Sequence, residues 1–243
     1  MSLDTIQIIQ PDDWHVHLRE GQLLEAVAKY SSRINRRCIV MPNLNEPITS
    51  LQEALNYKKI IKSIVHEKNF TPLIPCYLTE KLNLSDFKNA LKNKVFIGAK
   101  LYPSNVTTNS NSGIINIENI FPSLEILEEM KKPLLIHGEK AKKEVNFFDR
   151  EKLFVDDELL LIRNKFPHLK IILEHVSSKY GADFVNDNHN IAATITPQHL
   201  LLTKKDVFFK DSIDPHGFCM PVVKEEEDLI ALRKYATSGN KKF

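Results

Sequence analysis

A chain of 243 residues with 42% hydrophobic content can bury a large core, and nothing in it splits the length, so residues 1–243 are expected to form one domain. Thirty-three Lys and Arg against thirty-one Asp and Glu leave a formal charge of +2, with the basic residues scattered rather than striped, which argues against nucleic acid as a partner. Cys38, Cys76 and Cys219 are far apart and show no Cys-x-x-Cys spacing, which argues against a disulfide framework and a thiolate zinc site and suits a reducing cytoplasm. The start, MSLDTIQIIQPDDW, has no signal-peptide pattern, and no apolar run approaches the roughly 20 residues that span a bilayer, so a soluble protein without a membrane partner is expected.

Short apolar runs alternate with longer amphipathic ones. The predicted strands are Thr5 to Ile9 with a continuation to His17, Arg37 to Pro42, Thr71 to Leu78, Val95 to Tyr102, Pro133 to His137, Lys170 to Val176 and Ile191 to Thr196. Most are nearly continuous hydrophobics, as strands covered on both faces are. Helices are predicted from Gly21 to Ser31, from Leu51 to Val65 behind a Ser50/Glu53 capping box, and from Ser85 to Leu91. Others follow around Ile120 to Leu127 with Pro122 in the first turn, and from Asp149 to Phe166, Ser177 to Asn186 and Glu225 to Ala236.

Seven strand-helix repeats imply parallel strands, in an open doubly wound sheet or a closed (β/α)8 barrel. Polar residues favour the barrel. His17, Asn43, Lys100, His137 and His175 each fall at or near the C-terminal end of a different strand, where barrel enzymes gather their chemistry, and no Gly-x-Gly-x-x-Gly marks a switch point. Seven strands are complete and an eighth would begin at about Lys241 to Phe243, so the expectation is a barrel without most of strand 8 and with two unpaired edges.

Five residues invite metal chemistry. In an extended segment His15 and His17 share a face, a two-point grip for a transition metal, although His-x-His also arises by chance on surfaces. Lys100 sits in the apolar FIGAKLY; it either snorkels from a strand end or is neutral and functional, able to take up carbon dioxide as a carbamate. His137 and His175 follow apolar strands, and two such histidines beside His15 and His17 favour metal over core hydrogen bonding. Four neutral imidazoles do not neutralise two divalent ions, so a dinuclear site would need a carbamate on Lys100, a bridging hydroxide and a carboxylate. That hydroxide would be the nucleophile.

The motifs HVHLR at His15, MPN at Met41, AKLYP at Ala99, LIHGE at Leu135, EH at Glu174 and TPQHL at Thr196 occur in this order. Together they resemble the dihydroorotase family of the amidohydrolase superfamily, in its stand-alone bacterial class, over essentially the whole chain. The resemblance implies a TIM barrel of the metal-dependent hydrolase type and a cytoplasmic enzyme of pyrimidine biosynthesis, often a homodimer. The reaction it implies is reversible cyclisation of N-carbamoyl-L-aspartate to (S)-dihydroorotate and water. It further implies two zinc ions, one on His15 and His17, the other on His137 and His175, bridged by carboxylated Lys100.

His17, Arg19, Asn43, His137 and Met220 match the substrate-binding positions. Arg19 and Asn43 would hold the carboxylate and Met220 would act through its backbone. The polar segment Ser104 to Gly113 is either a flexible surface connection or a lid, and the family's paired threonines there match Thr107 and Thr108. The family's proton-shuttling aspartate belongs to strand 8 and is expected beyond Phe243, so no catalytic acid is assigned; Asp211, Asp214 and Asp228 are poorly placed substitutes. A hydantoinase is a rival that Arg19 and Asn43 disfavour, and an inactive barrel serving as a binding or assembly partner is the rival from another class. His199 and His216 follow the seventh strand and would line the pocket or steady a loop.

Overall fold

The computed structural model describes residues 5–140, 142 and 144–243, which leaves the first four residues of the chain start outside the description. Its sheet has seven parallel strands in sequence order: β1 (Asp12–Val16), β2 (Arg37–Val40), β3 (Thr71–Tyr77), β4 (Phe96–Leu101), β5 (Pro133–His137), β6 (Lys170–Glu174) and β7 (Ile191–Ala193). The crossovers carry α1 (Gly21–Ile34), α2 (Leu51–Ile64), α3 (Leu84–Lys92), α4 (Phe121–Glu129), α5 (Arg150–Phe154), α6 (Leu160–Lys165) and α7 (Lys179–Asp187). After β7 come α8 (Pro197–Leu201), α9 (Lys204–Val207) and α10 (Glu226–Thr237).

The sheet is strongly curled. Strands lie about 4.8 Å apart, so β1 and β6 would be about 24 Å apart in a flat sheet, beyond the reach of two side chains. Yet His15 Nδ1 and Glu174 Oε1 are 2.9 Å apart. The curl encloses one apolar layer, in which Ile39, Met41 and Leu135 pack with Leu73, Ile97 and Ile172. The opposite faces of the same strands, with Val40, Ile74, Leu134, Ile136, Ile171 and Leu173 among them, pack in the larger core with the helices.

Strand alternation carries this order to the rim. Two residues beyond Leu135 and Ile172 stand His137 and Glu174, on the same inner face and paired in register. A register shift between β3 and β4 lets Lys100 face inward beyond Ile97, while Ala99 and Leu101 join the outer core. A polar layer therefore sits above the apolar one. Gly98 makes the β4–β5 approach possible, because a Cβ there would collide with the Pro133 carbonyl and lie 2.9 Å from Pro133 Cγ.

Three expectations change, and two short helices are added. Thr5 to Ile9 is not a strand: Ile6, Ile8 and Ile9 are 76–93% exposed, so the apolar pattern has no core beneath it. The strand expected to Thr196 stops at Ala193, because Thr194 turns its hydroxyl and carbonyl to the amides of His175 and Val176. The Asp149 to Phe166 helix contains a π turn, Val155–Leu159, between α5 and α6. The short α8 and α9 carry too few residues for periodicity to reveal. The Ser50/Glu53 capping box and Pro122 in the first turn of α4 form as the sequence indicates.

Where the eighth stave was expected, the Lys242 carbonyl accepts from Ala193 N at 2.7 Å on the outer edge of β7. Among the described residues no helix is long and apolar enough to cross a membrane. Replacing Gly98 with alanine should cost about 1–3 kcal/mol through overpacking, read as a lower urea midpoint. An unchanged midpoint would mean that β4 and β5 do not approach this closely.

Candidate active site

Burying a carboxylate demands partners, and Glu174 has two. Its side chain is inaccessible to solvent and forms an ion pair with the equally inaccessible Lys100, while its other oxygen accepts from His15 Nδ1 at 2.9 Å. Burial by itself would raise the Glu174 pKa, but Lys100 and His15 outweigh it and bring it down to about 2. For Lys100, burial works the other way and lowers the pKa against the pull of Glu174. The lysine thus neither snorkels nor stands alone; its partner is a residue for which sequence reasoning assigned no role.

The bond to Glu174 decides which nitrogen of His15 is available. With Nδ1 turned to Glu174, Nε2 is the nitrogen that faces inward, and it lies 3.2 Å from His17 Nε2. Burial lowers the His17 pKa to about 3, with further repulsion from His15, Arg19 and Lys100, so its ring is neutral. Two zinc–nitrogen bonds of about 2.0–2.1 Å at a tetrahedral angle place their nitrogens about 3.3–3.4 Å apart. The pair therefore fits one ion.

His137 Nε2 is 2.6 Å from Glu139 Oε2, which leaves Nδ1 as its free nitrogen. Desolvation lowers its pKa, although Glu139 pulls the other way. His175 lies one residue beyond β6, where a continued strand would turn it towards the helices. A left-handed backbone, φ +43°, returns it to the inner face. Its ring centroid is then 4.6 Å from that of His137 and 5.1 Å from that of His15, and burial keeps it well below the ordinary histidine pKa. Among the described residues its buried Nδ1 has no hydrogen-bond partner, and neither has Nδ1 of His17. Ligand atoms of His15, Glu174 and His175 all lie within 4.8 Å of one another, a group fit to hold a metal. His15 and His17, His15 and His175, and His137 and His175 are neighbouring rings, and Lys100 is joined to His15 through Glu174, so the five predicted residues lie close together on the rim, while the group with metal-ligand spacing is His15, Glu174 and His175.

Beside them, Arg19 also has a left-handed backbone, φ +60°, and its Nη1 donates to the Asn43 carbonyl at 3.3 Å. Asn43 donates through Nδ2 to the Thr108 carbonyl at 2.9 Å, and its buried Oδ1 has no partner among the described residues. The Ser104 to Gly113 segment is seated here: Asn109 donates to the Asn43 carbonyl, and the Ser110 hydroxyl joins the amide and carbonyl of Thr107. Met220 is half-buried and leads into the buried Pro221–Lys224 segment. His199 steadies that segment through Nε2, which donates to the Pro221 carbonyl at 3.1 Å. Asp214 and Asp228 are spent on backbone amides of their own surroundings.

Curled parallel strands with imidazoles and a buried lysine on one rim define a barrel hydrolase of the amidohydrolase type. No family model matches the chain. A dihydroorotase of Buchnera aphidicola from Schizaphis graminum is 43% identical over 244 residues, covering 99% of this chain and 70% of that protein. The crystal structure of Campylobacter jejuni dihydroorotase superposes with a TM-score of 0.88 at 36% identity, over 96% of this chain and 67% of that one. The chain belongs to the dihydroorotase family. An L-hydantoinase of Arthrobacter aurescens, covering 95% of this chain and 55% of its own, has a TM-score of 0.76 at 17% identity and shares the fold alone.

The neutral, buried imidazoles set an acid limit. His17 and His199, lowered by burial to about 3 and about 4, bind protons less readily folded than unfolded, where the value is near 6.5. The unfolded state then takes up more protons below pH 6.5, and stability must fall as pH drops. The urea midpoint of the metal-free protein should decline from pH 7 to pH 4.5; a flat profile would show these rings are not buried as neutral groups.

Proposed function

We propose that this dihydroorotase interconverts N-carbamoyl-L-aspartate and (S)-dihydroorotate at a paired zinc centre held by His15, His17, His137, His175 and a carboxylated Lys100. The 3.2 Å approach of the two Nε2 atoms, with His15 fixed by Glu174, carries the reading. Both Nε2 atoms face one point, and an ion bound there would take the place of the hydrogen bond between them. Bound there, the ions would supply Lewis acidity towards a carbonyl and make water acidic enough to react at neutral pH.

The remaining roles belong to the chain. The Arg19 guanidinium, beside Asn43, presents a fork suited to a carboxylate. Asn43 would join Arg19 at that carboxylate through the amide hydrogen that the Thr108 carbonyl does not take, and His17 and His137 would border the substrate. The segment carrying Thr107 and Thr108, bonded to Asn43, would exclude water once substrate is seated. Met220 would offer its backbone to the substrate. A cytoplasmic setting accords with the free cysteines, and a homodimer rests on the family resemblance.

A second reading is a barrel that holds metal and ligand without turnover. It is favoured by the buried ion pair of Lys100 with Glu174, which engages the amine that a carbamate would need. Zinc-loaded protein incubated with either compound separates the two, since interconversion supports the enzyme and binding without interconversion supports the inactive barrel.

Lys100→Ala should reduce bound zinc from about two ions per chain to one or none, measured by elemental analysis, because a carbamate on Lys100 would supply an anionic ligand to the site. An unchanged count removes the bridge. Arg19→Ala should leave zinc in place and cost about 1.5–3 kcal/mol, roughly 10- to 100-fold in the Kd for dihydroorotate by calorimetry; an unaltered Kd would cancel its role.

A further inference from the structure

Outside the imidazole group lies a second buried polar cluster that the reaction does not use. Glu151, in the first turn of α5, is 1% exposed. One of its carboxylate oxygens accepts from Ser177 N at 2.8 Å and from Ser177 Oγ at 2.6 Å. The other accepts from Ser178 N at 2.9 Å and from the Ser178 hydroxyl. Four donors from two consecutive residues therefore close on one carboxylate. Gly181 permits the approach of α7, since a Cβ there would stand 2.5 Å from Glu151 Oε1.

The cluster extends on its other side to Lys224, which is 6% exposed and donates through Nζ to Ser177 Oγ at 2.6 Å. A hydroxyl has one proton, and an ammonium has no lone pair, so the bonding has one direction only. Lys224 gives to Ser177, and Ser177 gives to Glu151. This line of bonds ends on both parts of the rim that need precise placement. Ser177 is two residues after His175, whose left-handed backbone persists only if its surroundings over-determine it. Lys224 closes the buried Pro221–Lys224 segment that follows Met220.

We infer that Glu151 is a positioning residue which, through Ser177 and Lys224, holds the metal-candidate His175 and the Met220 segment in a single fixed arrangement. The inference rests on the proposed site and adds a support beneath it. Ser177→Ala cuts the line but keeps the amide bonds to Glu151; Lys224→Met cuts it at the far end and preserves length; Glu151→Gln replaces an acceptor oxygen with a donor facing donors.

The test titrates zinc against a chromophoric chelator and dihydroorotate by calorimetry, on folded protein confirmed by circular dichroism. Ser177→Ala and Lys224→Met should each weaken dihydroorotate binding on the order of 10-fold with zinc affinity nearly unchanged. Glu151→Gln should weaken zinc binding as well, by about 10- to 100-fold, as loss of outer supports of metal sites does. Variants that lower only the melting temperature, with both affinities intact, would overturn the inference and leave a purely structural cluster. If Glu151→Gln does not fold, the other two variants decide. If the unsubstituted chain binds zinc but not dihydroorotate, the proposed substrate fails, while the zinc arm of Glu151→Gln still judges the positioning role.

Discussion

The buried carboxylate of Glu174 is the interaction on which the rim depends. Placed between Lys100 and His15, it solves two electrostatic problems together. In the unmodified chain it compensates an ammonium that has no access to water, and it orients an imidazole from the far side of the sheet so that Nε2 faces inward. Remove its charge and Lys100 is left as an isolated buried cation, a situation proteins avoid by giving up the proton or the fold. The same carboxylate joins β6 to β1, so the curl of the sheet and the chemistry of the pocket share one cause.

Much of the fold could be read from the residues, because strands covered on both faces are spelled as apolar runs. Pro133 to His137 forms as expected, and the others shift by a few residues at their ends. Lys100, His137 and His175 were legible for the same reason, since each interrupts or ends an apolar run, and His15 and His17 were legible because alternation puts them on one face. Glu174 was passed over, although alternation from Ile172 places it on the inner face. The turn at His175 was not legible, since histidine does not announce a left-handed backbone as glycine does. Thr5 to Ile9 misled in the opposite sense: its residue types suit a strand, but pairing and burial are properties of the surroundings and not of the segment.

Support for the site is layered outward. Behind His15 stands Glu174, behind His137 stands Glu139, and below the turn at His175 stands Thr194, whose hydroxyl accepts from His175 N at 2.8 Å. Each is a short polar bond in a region where water does not compete, which is where such bonds are strongest and where their loss is most costly. His199, with Thr196 at one nitrogen and the Pro221 carbonyl at the other, extends this arrangement to the segment behind Met220.

His15 and Glu174 are separated by 159 positions in the chain. A contact of that span can form only after the intervening staves have been made and have curled, so the pocket is among the last parts of the molecule to come into being. On the ribosome, the first strand must wait with its histidines uncommitted until the sixth has left the exit tunnel, and any ion it captures before then is held by far fewer ligands.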